Sequence, residues 1–448
     1  MKHIIPRLIY GLNEKLTARQ TFKSYNELKK TQSYSEEQLA EFQFEKLKRL
    51  LIHARDYTDY YKEAFAVSSF DPQAMESALD LRKAPLLKRS MIRKAPSRFI
   101  SSDRRRKLSR LATSGSTGEP LIFYLSNERV SANKAAYLML YEWWGLQIGD
   151  KEVVFWGSPR DFTAYNIAKK IRDRLLNTHL LPAFNMSATT MFGYLDFIKR
   201  YRPKDIFGYA HSIYLLARYA RNRGISMRNA AIRVVFTTAE VLHGFQRKTI
   251  EEVFGCPVSN CYGGRDSGLV AFECPAGSMH INPNIITEVI KDATPVGEGI
   301  KGEIVVTDID SYGMPFIRYC TGDEGVVGNR RCACGRPYPI MDEIIGRDTD
   351  YVVSPSGEFI HPLALEYIFR ELEGIDYFKI VQEKEDKLVV TMSVNDRFEK
   401  KLETDIKARI DGVMGVAIET IFRYVGQDEI GSEGKYKFVV SEVIKKYL

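Results

Sequence analysis

Hydrophobic positions follow three different patterns along this chain of 448 residues. In roughly the first hundred residues they recur at helical spacing within a charged background, which predicts helices that each bury one apolar stripe. One such stripe is formed by Leu39, Phe42, Leu47, Leu50 and Leu51. In the middle of the chain, short β-rich runs at 152–156, 233–237 and 303–309 alternate with helical stretches such as 210–224. Strands that alternate with helices predict an α/β region with largely parallel sheets.

A third pattern begins near residue 346. Residues 377–394 read as a β-hairpin, a polar helix follows near 396–413, and a further strand covers 417–425. These elements predict a compact α+β unit. We therefore expect an α/β protein with a large N-terminal domain, residues 1–345, whose β-sheets are flanked by helices. A small α+β C-terminal domain, residues 346–448, would follow it.

Composition narrows the function classes. A hydrophobic content of 44% excludes a disordered chain, and no apolar run reaches the roughly 18 residues that a membrane span requires. The net charge of +8 could attract an anionic small molecule, but it is too dilute to indicate a nucleic-acid partner. Six cysteines form no disulfide framework. We therefore expect a cytoplasmic protein with neither a nucleic-acid nor a membrane partner.

The segment from Thr113 to Pro120, TSGSTGEP, combines hydroxyl side chains with two glycines. Such a loop can wrap phosphate oxygens with its amides and hydroxyls. It is not a Walker A loop, because no Lys-Ser/Thr pair follows the glycines. On composition alone, an ordinary surface turn explains the segment equally well.

Four residues have the chemistry of a metal site. Five residues separate Cys274 from His280, and a single alanine separates Cys332 from Cys334. Three thiolates and one imidazole match a closed, tetrahedral structural zinc site. The alternative is a set of free buried thiols beside a surface histidine. The remaining cysteines are expected to be small core residues.

Several motifs occur in an order that resembles a known enzyme superfamily. They are NCYGGRD at 260–266, RYCTGD at 318–323, GRDTD at 346–350 and Gly434-Lys435. Together with the hydroxyl-rich loop, they resemble the core motifs of the adenylate-forming superfamily. More narrowly, the chain from about residue 35 onward resembles the phenylacetate–CoA ligase branch and its CapK-type relatives in capsule biosynthesis. The resemblance implies activation of a small carboxylic acid by ATP and Mg²⁺ as an acyl-adenylate, followed by transfer to a thiol, usually that of coenzyme A.

The resemblance also implies residue roles. Asp323 would accept hydrogen bonds from the ribose hydroxyls, Tyr262 would lie against the adenine or the acyl group, and Lys435 would stabilise charge in the adenylation step. Asp266 would help to hold magnesium as a second catalytic residue. The implied cofactor-binding set is Thr113, Ser114, Ser116, Thr117, Gly118, Ala239, Glu240, Tyr262, Gly263, Asp323 and Arg347. Tyr209 and Gly264 would line the substrate pocket, and Ala239 would be a further wall of it.

Two positions depart from the superfamily pattern. Asp266 stands where a glutamate is usual, and its shorter side chain either reaches magnesium or forms a salt bridge with Arg265. At the expected hinge, Thr349 replaces the usual aspartate and lies between Asp348 and Asp350. The hinge residue is therefore left open among these three.

The leading interpretation is an AMP-forming acid–thiol ligase of the phenylacetate–CoA ligase type. A second interpretation keeps adenylation but transfers the acyl group to an acceptor other than CoA, in surface-polysaccharide or secondary metabolism. A third is a catalytically degenerate nucleotide-binding protein, which Asp266 favours and Gly434-Lys435 disfavours. The identity of the acid cannot be read from these residues, and the oligomeric state is left open, with a homodimer as one option.

Overall fold

The computed structural model describes residues 3–103, 107–112, 121–157, 167–183, 185–328, 330–345, 351–369, 372, 374–426 and 438–444. Internal contacts divide the chain into two compact units. Unit 1 contains residues 1–113, 121–150 and 259–346, and unit 2 contains residues 151–258 and 347–448. The predicted division into domains 1–345 and 346–448 stays a prediction. Among the described residues, no helix has the length and apolar character needed to cross a membrane.

Unit 1 begins with helices. They are α1 (Ile4–Thr17), α2 (Thr21–Thr31), α3 (Glu36–Tyr57), α4 (Asp59–Val67), α5 (Arg89–Lys94) and α6 (Asn127–Trp143). A capping box starts α3, because the Ser35 hydroxyl accepts from the amide of Gln38 while the Gln38 side chain accepts from the amide of Ser35. The predicted stripe on α3 is buried at four of its five positions, and Phe42 is half-buried.

Unit 1 also holds a hairpin and an antiparallel sheet. The hairpin strands are β1 (Leu108–Ala112) and β2 (Ile122–Ser126). The sheet strands are β8 (Val258–Gly264), β9 (Gly268–Glu273), β10 (Met279–Ile281), β11 (Ile285–Lys291), β12 (Thr294–Pro295), β13 (Gly302–Asp308), β14 (Tyr319–Gly328) and β15 (Ile340–Ile345). Their order is β12-β11-β13-β14-β15-β10-β9-β8, and each neighbouring pair runs antiparallel.

The parallel arrangement predicted for the strand at 303–309 is wrong. This segment is β13, and it pairs antiparallel with both β11 and β14. The physical reason lies in the connections, because parallel neighbours need a long crossover that is usually a helix. The described residues from 258 to 345 contain no helix.

Unit 2 contains the predicted parallel sheet. Its strands are β3 (Glu152–Phe155), β4 (Thr178–Leu181), β6 (Asp205–Tyr209) and β7 (Val234–Thr238), in the order β7-β6-β3-β4. Its helices are α7 (Ile167–Leu175), α8 (Ala188–Tyr201), α9 (Ala210–Asn222) and α10 (Gly244–Phe254). The strands predicted at 152–156 and 233–237 are confirmed, as is the helix predicted at 210–224. Gly208 is required in β6, since a Cβ there would lie 2.5 Å from the carbonyl oxygen of Phe155.

The C-terminal part of unit 2 has the predicted α+β character. Its elements are β16 (Val352–Val353), β17 (Phe359–Ile360), α11 (Pro362–Phe369), β18 (Ile375–Lys384), β19 (Lys387–Val394), α12 (Leu402–Met414), β20 (Glu419–Tyr424) and β21 (Val439–Ser441). The predicted hairpin is β18–β19, and β20 and β21 add parallel strands on either side. A short strand, β5 (Asn185–Met186), pairs with β17. Tyr351 and Val353 join the same buried cluster as β3 and β6.

Candidate functional site

Tyr262 and Asp323 lie side by side on β8 and β14 of unit 1. The Tyr262 hydroxyl donates to Asp323 Oδ2 at 3.1 Å and lies 3.5 Å from the hydroxyl of Thr321. Burial raises the pKa of Tyr262, and the neighbouring Asp323 carboxylate raises it further, so the phenol stays protonated and remains a donor. The pair therefore presents an aromatic ring beside a carboxylate that already accepts from one hydroxyl.

The turn after Tyr262 has no room for side chains. A Cβ on Gly263 would lie 2.1 Å from the carbonyl oxygen of Gly268, and a Cβ on Gly264 would lie 2.9 Å from Asp266 Oδ1. Close approach of two backbones thus requires glycine at position 263. This packing accounts for both glycines structurally, while their contacts with cofactor and substrate stay predictions.

Asp266 is held by two donors from elsewhere in unit 1. Its Oδ2 atom accepts from Arg89 Nη2 at 2.7 Å and from the Tyr319 hydroxyl at 2.7 Å. Burial would raise the pKa of Asp266, but the charge of Arg89 and the Tyr319 hydrogen bond outweigh it and lower that pKa. Asp266 is therefore an ionised, fixed carboxylate whose second oxygen, Oδ1, faces Gly264.

The alternative pairing of Asp266 with Arg265 is wrong, because Arg89 is the partner. The Arg265 side chain instead points to the end of β1, where its Nη1 atom donates to the carbonyl oxygen of Ala112 at 3.4 Å. Ala112 directly precedes the hydroxyl-rich segment in the sequence.

Arg318 anchors the strand that carries Asp323. It has a positive φ of 48°, which is rare for a side chain of this size. Its guanidinium bonds both carboxylate oxygens of Glu288, at 2.9 and 3.0 Å, and the carbonyl oxygens of Arg82 and Ala84 at 2.8 and 2.7 Å. These four bonds stabilise the unusual backbone at the start of β14, and so they position Asp323 five residues later.

The four candidate metal ligands converge in unit 1. Their donor atoms all lie within 4.8 Å of one another. The sulfurs of Cys274 and Cys332 are 3.6 Å apart, and His280 Nε2 lies 3.2 Å from the sulfur of Cys334. Tetrahedral zinc with ordinary bond lengths gives S···S and S···N separations of about 3.8 and 3.6 Å. The arrangement therefore has the size and donor set of a structural zinc site.

Second-sphere contacts favour metal ligation by His280. Its Nδ1 atom lies 3.1 Å from the carbonyl oxygen of Tyr338, so a proton on Nδ1 leaves Nε2 directed toward the sulfurs. Burial lowers the pKa of His280, which favours the neutral form that binds metals. Trp143 packs edge-on against the imidazole at 5.7 Å and stacks on the ring of Tyr338. These contacts place Trp143 in the core.

The three remaining site candidates within the described residues, Tyr209, Ala239 and Glu240, lie in unit 2, where parallel strands end. Tyr209 ends β6 and is paired in register with Thr238 of β7, so Ala239 and Glu240 follow at the same edge of the sheet. Ala239 has a positive φ of 67° and is exposed. Loops after the carboxyl ends of parallel strands are the usual ligand sites of such sheets.

Glu240 is held in place by two histidines. One carboxylate oxygen lies 2.8 Å from His361 Nε2, and the other accepts from the backbone amide of His211 at 2.9 Å, at the start of α9. Burial would raise the pKa of Glu240, but the hydrogen bond and charge of His361 outweigh it and lower that pKa. The ring of Tyr209 stacks on Trp156 at 4.4 Å and lies 4.8 Å from the ring of His361. Glu240 thus joins the end of β7 to the segment before α11.

Comparisons with known proteins agree with this fold. The CapK C-terminal domain profile matches residues 352–442. Protein CapK of Staphylococcus aureus is 23% identical over 98% of this chain and 97% of its own length. The phenylacetate-coenzyme A ligase of Thermus thermophilus is 25% identical over 89% of this chain and 85% of its own. The chain is therefore similar to CapK and to the phenylacetate-coenzyme A ligases along most of its length.

The fold of this chain matches that of an adenylate-forming ligase. A crystal structure of 2-hydroxyisobutyryl-CoA ligase, in complex with 2-HIB-AMP and CoA in the thioesterification state, superposes with a TM-score of 0.65. It is 20% identical and covers 93% of this chain and 92% of its own. A second structure of that ligase, in the postadenylation state, gives a TM-score of 0.60.

Several predicted site residues lie outside the described part of the chain. They are Thr113, Ser114, Ser116, Thr117, Gly118, Arg347, Lys435 and the three hinge candidates at 348–350. Within the described part, unit 1 brings Tyr262 and Asp323 together, and unit 2 brings Tyr209 beside Ala239 and Glu240. Sequence reasoning missed Arg89, because nothing near position 89 marks it as the partner of a carboxylate 177 residues away.

Proposed function

We propose that this chain is an AMP-forming ligase that activates a small carboxylic acid with ATP and then transfers the acyl group to a thiol, that of coenzyme A. The observation that carries the proposal is the contact between Tyr262 and Asp323, which sets an aromatic ring beside a strand-borne carboxylate. Its relatives include phenylacetate-coenzyme A ligases that align over most of the chain, which supports the same reaction class.

In this proposal Asp323 accepts hydrogen bonds from both ribose hydroxyls, since two adjacent donors suit one carboxylate. Tyr262 lies against the adenine or the acyl group. The loop residues Thr113, Ser114, Ser116, Thr117 and Gly118 hold the β- and γ-phosphates. Arg347 reaches the nucleotide, and Gly263, Ala239 and Glu240 complete its site.

Attack of a carboxylate on the α-phosphate brings two anions together, so charge must be compensated. Lys435 supplies a cation for this step. Magnesium, when bound, would be held through Oδ1 of Asp266, because Oδ2 already accepts from Arg89 and Tyr319. Because Arg89 and Tyr319 hold Oδ2, the aspartate keeps a fixed orientation even though its side chain is shorter than that of the usual glutamate.

We also propose that Tyr209, Ala239 and Gly264 contact the acyl group, as the resemblance of the sequence implies. The ring of Tyr209 is only 5% exposed and stacks on Trp156, so its position is fixed. In this proposal the edge of the ring contacts the hydrocarbon part of a small acid.

The direct test is ATP–pyrophosphate exchange with a panel of aryl and aliphatic acids, followed by mass spectrometry for a CoA thioester. We expect exchange that depends on the acid and a thioester that depends on CoA. Asp323→Ala, assayed in parallel, controls for contaminating ligases. Exchange that proceeds equally without any acid, or that Asp323→Ala leaves unchanged, would contradict the proposal.

A second candidate keeps adenylation but changes the acceptor. It is favoured by the similarity to Protein CapK over 98% of this chain. Acid-dependent exchange without any thioester when CoA is added would favour an acceptor other than CoA. ATP binding without exchange for every acid would favour the degenerate nucleotide-binding alternative.

We also propose that Cys274, His280, Cys332 and Cys334 bind one structural zinc ion. All four positions come from protein, so the site is closed and would not activate water. The ligands join the end of β9, β10 and the segment before β15, and zinc would hold these parts of unit 1 together.

A further inference from the structure

The first helix of unit 1 has its apolar side facing outward. Large aliphatic side chains recur along α1 at Ile4, Leu8, Leu12 and Leu16, with Ile5 beside them. Between 57% and 78% of the surface of each of these residues is exposed. A surface helix normally turns such a stripe toward the core. Here none of the other described residues covers it.

The opposite side of α1 is well anchored. Its buried residues are Pro6 and Glu14, and the Glu14 carboxylate accepts from the backbone amide of Thr21 at the start of α2. Tyr10 packs edge-on against Phe22 with ring centroids 5.3 Å apart. Because these contacts fix the helix, its apolar stripe faces outward as part of the folded unit.

The apolar side chains form one cluster. Fifteen large hydrophobic residues are exposed in the described part of the chain, and five of them lie within the 14 residues of α1. At 1.5 Å per residue the helix is about 21 Å long, so the stripe forms one continuous strip. Exposed apolar patches of this kind mark interaction surfaces.

The charges on α1 distinguish between two partners that could cover the apolar stripe, a second copy of this chain and an anionic surface. The exposed charged residues of α1 are Arg7 and Lys15, whereas its only acid, Glu14, is buried. At 100° per residue, Lys15 falls between Ile4 and Leu8 on the stripe. A second copy of the chain packed on this face would bring cations toward cations, with no exposed acid on the helix to compensate. An anionic surface would pair with both cations.

We propose that α1 is an interfacial helix that binds this protein to the surface of a membrane containing anionic phospholipid. The aliphatic stripe would enter the boundary between headgroups and acyl chains, as amphipathic interfacial helices do. Lys15 can extend its flexible stem so that its ammonium reaches a phosphate, and Arg7 would contact the headgroups at the flank. The expectation of no membrane partner rested on the lack of a spanning segment, and binding to a membrane surface needs none.

The test uses the full chain in flotation with vesicles of phosphatidylcholine alone and of phosphatidylcholine mixed with phosphatidylglycerol. We expect binding to the mixed vesicles only, and weaker binding at high salt. Leu8→Ser combined with Leu12→Ser should weaken binding by roughly tenfold or more, and Arg7→Glu combined with Lys15→Glu should do the same. Because all four side chains are exposed, neither double substitution should change the melting temperature.

The matched control is Val67→Ser combined with Leu79→Ser, since these residues are 82% and 65% exposed but lie away from α1. This variant should bind vesicles as the wild type does. The proposal is overturned if the wild-type protein ignores mixed vesicles at low salt, or if the Leu8/Leu12 variant binds them equally well. It is also overturned if light scattering shows a dimer that this variant converts to a monomer, because the face would then serve a second copy.

Discussion

Removal of Arg89 should destabilise unit 1 by leaving Asp266 as an incompletely paired buried charge. Breaking a buried ion pair from one side costs about 3–5 kcal/mol. Here the Arg89 side chain is 22% exposed and Tyr319 still donates to the carboxylate, so we expect about 2–3 kcal/mol for Arg89→Gln. Lys94→Gln, an exposed cation on the same helix, should change the free energy of unfolding by less than about 0.5 kcal/mol.

The loss of stability in Arg89→Gln should become smaller as the pH falls. The pKa of Asp266 is lowered in the folded wild type, so its stabilisation is present at neutral pH and is lost as the pH falls through that pKa. Without Arg89, burial raises the pKa of this carboxyl, and protonation removes the buried charge. The deficit of Arg89→Gln should therefore be largest near neutral pH and shrink in acid.

Urea unfolding of the wild type and variant across the acid range measures this difference, and a double-mutant cycle with Asp266→Asn isolates the pair. We expect the double variant to lose less stability than the sum of the single variants. A role of Arg89 as the stabilising partner of Asp266 is excluded if Arg89→Gln unfolds like the wild type at neutral pH, or if its loss of stability does not change with pH.

Three further predictions concern the proposed sites. Asp323→Ala should raise the Kd for ATP by roughly a hundredfold or more, because two charge-assisted bonds to ribose are lost; calorimetric titration that gives wild-type affinity would remove Asp323 from the site. Cys332→Ser should abolish stoichiometric zinc binding and lower the Tm by about 5 °C or more, whereas Cys320→Ala, outside the cluster, should keep the zinc. Purified wild-type protein without zinc, together with an unchanged Tm in Cys332→Ser, would contradict the metal site. Lys435→Ala should slow adenylation by several orders of magnitude and spare thioester formation from preformed acyl-adenylate, whereas Lys437→Ala should be mild in both; equal, mild losses in both half-reactions for Lys435→Ala would refute its assignment.

Local patterns predicted much of the fold because each was decided by near neighbours in the sequence. The apolar run of β7 and the helical periodicity of α9 depend on residues within one element, as does the hairpin β18–β19. The direction of β13 depends on how the chain enters and leaves it, and the run of residues at 303–309 carries no such information. The local sequence also does not show that the apolar stripe of α1 faces outward, because periodicity identifies a stripe but not which side of the helix other residues cover.

Candidate residues with distinctive chemistry were easier to predict than the residues that hold them in place. The ligands Cys274 and Cys332 are 58 positions apart, yet each was identified locally, Cys274 by its spacing to His280 and Cys332 by the tight C-x-C pair with Cys334. Arg89 has no such signature, since the chain contains 65 lysines and arginines. Only the folded arrangement identifies which of them faces Asp266.

Adenylation in the proposed reaction requires that the carboxylate of an acid attack the α-phosphate of ATP. Its most direct test uses an acid that supports exchange, labelled with ¹⁸O in its carboxylate, and follows the label by mass spectrometry during turnover with ATP and CoA. Attack at the α-phosphate transfers one carboxylate oxygen to AMP when the acyl group leaves. We expect labelled AMP together with pyrophosphate. Label in inorganic phosphate formed with ADP, or thioester formation with unlabelled AMP, would contradict it.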